Sequence, residues 1–160
     1  MIVGDLTRRQ LGTIAVTAVV SALGVSLAGC TSKQRTLVCR HQRTHQVYAE
    51  VEVDIGAEIT LSWIHSIELT RWSDTFKLVG DEFSLTRTVF SSYGAGMPMD
   101  EGTLRRDGDR IIIEDIDKPF EAIRWVHSHD VDYRVAINGD ETLIDAMTLP
   151  DHELLELRPS

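Results

Sequence analysis

The stretch "LSWIHSIELT", residues 61–70, sets an imidazole, a hydroxyl and a carboxylate (His65, Ser66 and Glu68) into an apolar run. These groups can move protons, attack carbonyls or hold metals. A nucleophilic triad needs Ser66 bonded to a histidine that an acid orients, and neighbours in sequence seldom achieve that. No Gly-x-Ser-x-Gly elbow accompanies them, so hydrolase chemistry is disfavoured and no catalytic residue is assigned. His65, Glu68, His127 and His129 are ligand types that suit zinc. They make only weak metal candidates, because His127 and His129 in "WVHSHD" also read as two exposed histidines beside Asp130. His41, His45 and His152 read as surface residues. The structural alternative is that His65, Ser66 and Glu68 close a strand end by satisfying free backbone groups. No cofactor is expected.

The elements that must position these groups read as strands. Along a strand, alternate residues share a face, so His65 goes with Trp63 and Ile67, and Ser66 with Glu68. His65 and Glu68 meet only if the strand bends or ends near Ser66. "QVYAEVEVD" alternates Val47, Ala49, Val51 and Val53 against Tyr48, Glu50 and Glu52, and "AEITLSWIHS" puts Ile59, Leu61 and Trp63 on one face. "LVCRHQ", "DTFKLVG", "EFSLTRTVFSS", "GTLRRDGDRIIIED", "FEAIRWVHS", "VDYRVAI", "ETLIDAM" and "HELLELRPS" are further candidates, while "TLPDHELLEL" could instead form a helical turn capped by Asp151. Turns fall at Gly80-Asp81, Asp107-Gly108-Asp109 and Asn138-Gly139. Many short strands with frequent turns indicate an all-β fold, one antiparallel sandwich or barrel. The expected core is Val51, Val53, Ile59, Leu61, Trp63, Phe76, Leu78, Leu85, Val89, Ile112, Ile123, Trp125, Val135 and Ile137.

The N-terminus reads as an export signal. Arg8-Arg9 precede an uncharged stretch, Leu11 to Ala28, and then Leu27-Ala28-Gly29-Cys30. The paired arginines fit a twin-arginine signal, and Leu-Ala-Gly-Cys resembles a lipobox in which Cys30 becomes the lipidated first residue. Residues 1–29 are thus expected to be removed, 30–36 to form a polar linker, and 37–160 to form the domain. Lipidation would make the membrane a partner and place the domain on the extracytoplasmic face of the cytoplasmic membrane. With Cys30 committed to lipid, Cys39 stands alone in an apolar context, an inert thiol. The formal charge of −9, with Lys33, Lys77 and Lys118 as the lysines, describes an acidic surface. It excludes nucleic acid as a natural partner, since phosphates would be repelled. Such lysine-poor acidity resembles proteins of salt-loving archaea.

Two motifs carry a resemblance. His65-Ser66-Ile67-Glu68 is followed, after "TRTVFSSY", by Gly94-Ala95-Gly96-Met97-Pro98. Together they resemble the DUF1850 family, small extracytoplasmic proteins of unknown function, over a span from about Leu37 to the last strand. Family members often show proline and acidic residues just after the first motif, where this chain has Arg71-Trp72-Ser73-Asp74 and keeps one acid, Asp74. The resemblance implies an accessory, non-enzymatic role beside TRAP-type transporters of the TAXI subclass. Gly94 and Gly96 permit unusual backbone geometry and Pro98 stiffens the exit. A loop of this kind beside His65 and Glu68 would form either a small polar site for a ligand or a tight corner of the sandwich. A further expectation is that His65 or Glu68 reaches the Gly94–Gly96 loop and fixes its shape.

Overall fold

The computed structural model describes residues 33–91 and 101–160. In chain order the strands are β1 (Gln34–His41), β2 (Val47–Asp54), β3 (Glu58–Ile64), β4 (Arg71–Val79), β5 (Glu82–Phe90), β6 (Thr103–Asp107), β7 (Arg110–Phe120), β8 (Ile123–Val126), β9 (Arg134–Ile137) and β10 (Leu154–Pro159). Two 3-10 helices, His129–Val131 and Ala146–Thr148, interrupt the later connections. The strands form a four-stranded sheet in the order β2-β1-β10-β8 and a six-stranded sheet in the order β6-β7-β5-β4-β3-β9. Every pairing between them is antiparallel. The expected all-β fold is therefore present, as a sandwich with two sheets.

Alternation explains which side chains meet between the layers. Leu37, Cys39, Leu155, Leu157 and Trp125 of the smaller sheet pack with Ile59, Leu61, Phe76, Phe83, Val135 and Ile137 of the larger one. The expected core residues are buried except Val51, Trp63 and Val89, which are half-buried. Trp72, Phe90 and Ile113 belong to the same core and extend it along the six-stranded sheet. Gly80 (φ 64°) makes the β4–β5 turn, and Asn138 (φ 51°) with Gly139 (φ 85°) makes the tight turn after β9. Both glycines occupy left-handed backbone that other residues adopt at a cost.

Two expectations are corrected, and an open one is decided. β1 begins at Gln34, so the end of the expected linker is already in the sheet. "ETLIDAM" forms no strand: Asp140 accepts from Thr142 N at 2.8 Å, and Asp145 accepts from Met147 N at 3.0 Å. Such local side-chain bonds compete with a ladder. "HELLELRPS" is strand β10, paired with both β1 and β8, and Asp151 caps no α-helix there. On β2, at one edge of the smaller sheet, Glu50, Glu52 and Asp54 all stand exposed.

Candidate functional site

β3 stops at Ile64, where the backbone turns back. His65 N donates to Thr70 O at 2.8 Å, and Leu69 N donates to His65 O at 2.8 Å. Leu69 takes a left-handed conformation (φ 53°) to close the loop. This reversal does what a straight strand could not, bringing Glu68 back over His65. Nδ1 of His65 and Oε2 of Glu68 are in direct contact, with the two side chains 21% and 17% exposed. Both atoms are sealed from solvent, and neither hydrogen-bonds another group among the described residues. Ser66 points outward, away from any triad geometry. Ile67 and Leu69 stand at the loop tip, 79% and 75% exposed.

Behind this loop sits Trp72, opposite Trp63 in the β3–β4 register. Its ring stacks on Phe90 at 4.6 Å, on Trp63 at 6.0 Å and on His65 at 5.7 Å between centroids. The indole N–H turns inward and donates to Asp74 Oδ1 at 2.9 Å and to Thr88 Oγ1 at 3.1 Å. Thr88 Oγ1 also donates to Asp74 Oδ1. Asp74 is thus a carboxylate in the inward row Trp72–Asp74–Phe76, with the buried Thr88 hydroxyl opposite it in the β4–β5 register. Burial pushes its carboxyl above the usual range, and the bonds from Thr88 and Trp72 partly offset that. Trp72 links the His65 loop to Asp74, a role the sequence signals only through the i, i+2 spacing of a tryptophan and an acid.

His127 and His129 do come together, with ring centroids 5.2 Å apart at 84°. His127 is not the exposed residue expected. It follows Ile123 and Trp125 on the inward face of β8 and is only 1% exposed. Its Nδ1 accepts from Trp125 Nε1 at 3.2 Å, while His129 Nε2 bonds to Leu149 O at 3.0 Å. Burial, then the neighbouring His129, hold the His127 imidazole below its ordinary value. Among the described residues no three His, Cys, Asp or Glu side chains cluster as metal ligands, so His65, Glu68, His127 and His129 form no common site. His41 is half-buried rather than a free surface residue. It pairs with Glu153 at 3.1 Å and accepts from Arg43 N and Thr44 N.

A second anchor was absent from the sequence reading. Arg71 donates to Ser62 Oγ at 3.1 Å and to Asp132 O at 3.3 Å, and also pairs with the Asp132 carboxylate. Arg134 pairs with the same carboxylate at 2.9 Å. Hydrogen bonding from Arg134, and then from Arg71, holds the Asp132 carboxyl below the usual range despite some burial. Asp132 adopts φ 46°, so this cluster fixes the approach to β9 beside the β3–β4 hairpin. Cys39 is fully buried, and burial pushes its thiol up to about 12. Cys30, Arg8, Arg9, Gly94, Gly96 and Pro98 lie outside the described residues, as does the expected contact with the Gly94–Gly96 loop.

A family model described as a domain of unknown function, DUF1850, matches residues 59–143. The chain belongs to the DUF1850 family. The matched span runs from within β3 past β9. It takes in the whole His65 hairpin, Trp72, Asp74 and the His127 pair. The match is narrower than the resemblance from Leu37 onward, because β1, β2 and β10 fall outside it. DUF1850 membership therefore attaches chiefly to the six-stranded sheet and β8. No curated protein and no solved structure matches the chain.

Proposed function

We propose that this DUF1850 protein is a non-enzymatic accessory protein, lipid-anchored through Cys30 on the extracytoplasmic face of the membrane, that docks to a TRAP-type transporter. Its contact is the tip of the β3–β4 hairpin. The observation that carries this reading is the pairing of a closed polar base with an open apolar tip. His65 and Glu68 are in direct contact beneath the loop, and Ile67 and Leu69 project from it at 79% and 75% exposure. Ser66 makes no hydrogen bond among the described residues, and this favours a motif that supports a shape over one that runs a reaction. Ordering the backbone beforehand lowers the entropy lost on docking. The lipid raises the local concentration of the tip near membrane partners.

The test uses the full-length chain in its native membrane. Fractionation should place it with the membranes until detergent is added, and Cys30→Ala should leave an unprocessed, unlipidated precursor. A photo-crosslinker at Leu69 should give an adduct with an integral membrane subunit of a TRAP-type transporter, lost in Ile67→Asp without loss of folding. Recovery of the parent in the soluble fraction would remove the anchor. An anchored chain whose adducts contain no transporter subunit would remove the accessory role.

A further inference from the structure

A separate feature lies between the two sheets. A cleft of about 290 Å³ is bounded by Trp63 of β3, Asp74 and Phe76 of β4, Trp125 of β8 and Tyr133 ahead of β9. We propose that this cleft binds a small organic cation, an amine or a quaternary ammonium, with Asp74 as its counter-charge. The inference does not rest on the docking role of the hairpin tip.

Three observations carry it. First, Asp74 is anchored on one oxygen only. Oδ1 receives the Trp72 indole N–H at 2.9 Å and the Thr88 hydroxyl, while Oδ2 receives no hydrogen bond from the described residues. The donors orient the carboxylate and leave an acceptor for a ligand N–H or an ammonium. Secondly, the other charged side chain at the rim does not cancel Asp74. Arg124 lines the cleft, but its Nε is drawn to Glu156 at 3.1 Å, and Arg40 binds the same carboxylate at 2.8 Å. Thirdly, the remaining wall is mostly aromatic and aliphatic. Trp63 and Tyr133 pack on each other at 5.8 Å between centroids, and both line the cleft together with Asp74 and Trp125. A fixed negative charge beside indole and phenol rings suits a cation with a greasy shell, which both the charge and the ring quadrupoles attract. Anions are repelled by Asp74, and a neutral apolar ligand would leave its free oxygen desolvated.

The size narrows the class further. Ligand pockets commonly span ~300–1,000 Å³, so this cleft stands at the small end and takes a ligand of amino-acid size or below. Tyr133 senses the same acid: burial, then the Asp74 charge, push its phenol above the ordinary range. It stays protonated at neutral pH and keeps its O–H as a donor.

The experiment is calorimetric titration of the full-length chain, held in a non-ionic detergent, with choline, phenethylamine and 3,3-dimethylbutan-1-ol. The alcohol has the shape of choline without its charge. The parent should bind at least one ammonium tighter than about 1 mM, and choline at least about tenfold tighter than the alcohol. Asp74→Asn, which keeps the volume and the acceptor for Trp72, should weaken ammonium binding by about tenfold or more and leave the alcohol unchanged. Trp63→Leu provides a second variant should D74N not fold, and it should weaken both ligands. Equal binding of choline and the alcohol, or no saturable binding of either ammonium up to about 10 mM, would overturn the proposal. So would an ammonium affinity unchanged in a folded D74N or W63L, which would make Asp74 a structural acid beside an unfilled gap.

Discussion

Glu68→Ala tests the role assigned to the hairpin. In the parent, Oε2 of Glu68 covers Nδ1 of His65, and both atoms are sealed from solvent. Removing the carboxylate leaves a desolvated imidazole nitrogen without a partner, which costs ~1–3 kcal/mol. The side chains remain 21% and 17% exposed, so water can enter part of the vacated space, and ~1–2 kcal/mol is the expected loss. For a domain of this size each kcal/mol moves the melting temperature by about 3–5 °C, giving a drop of about 3–10 °C. Ser66→Ala, at an exposed position of the same loop, should stay within ~0.5 kcal/mol. The assay is urea and thermal denaturation of parent, Glu68→Ala, His65→Ala and the double variant in metal-free buffer. Because the two residues act as one unit, the double variant should lose less than the two singles together. A Glu68→Ala stability within ~0.5 kcal/mol of the parent would refute the supporting role. A stabilisation by zinc that disappears in both single variants would instead return the pair to metal binding.

Three other outcomes are expected. A Cβ at Gly102 (φ 80°) would lie 2.3 Å from Glu114 O, so Gly102→Ala should destabilise by at least ~1–3 kcal/mol; an unchanged denaturation midpoint contradicts the close approach of that backbone. Cys39, buried with its thiol pushed up to about 12, should react with a thiol reagent only as fast as the chain unfolds, and rapid labelling of the native protein would show the core to be open there. Burial raises the Glu156 carboxyl, but Arg40 and Arg124 more than offset it and leave it below the ordinary range. Its contribution is therefore full above the unfolded value of ~4.3 and fades as the pH falls through the lower folded value. Glu156→Gln should narrow the gap in melting temperature between pH 7 and pH 3, and an identical gap would deny the pair that role.

Period-2 patterning was enough to read most strands, because residues such as Ile59 and Leu61 face the core while their neighbours face away. Where it failed, another force was at work. "ETLIDAM" has strand-like apolar content, yet Asp140 and Asp145 capture nearby backbone N–H groups and break the ladder. "HELLELRPS" reads either as a strand or, with Asp151 after Pro150, as a helical turn, and only its pairing with β1 and β8, which no local pattern supplies, decides for the strand. His127 is legible in the alternation, since Ile123, Trp125 and His127 share one face. The meeting of His65 with Glu68 was foreseeable once the strand ended near Ser66. In the sequence Asp74 is simply the acid that ends Arg71-Trp72-Ser73-Asp74. Its bonds to Trp72 and Thr88 depend on the β4–β5 register, which no local pattern supplies.

The acidic rim of β2 governs how closely copies of the sandwich can crowd. Among the described strands β2 is an edge of its sheet, and an edge strand offers backbone groups to a neighbour and invites edge-to-edge recruitment. Here a second β2 laid alongside would bring Glu50, Glu52 and Asp54 against their own kind, and like charges placed opposite each other oppose pairing. That guard has a finite reach. At about 0.1 M salt it acts over about 10 Å, and at about 1 M over only about 3 Å. Ionic strength is therefore the dial on self-association for this molecule, and concentrated salt is the condition under which its sheets would first grow into one another.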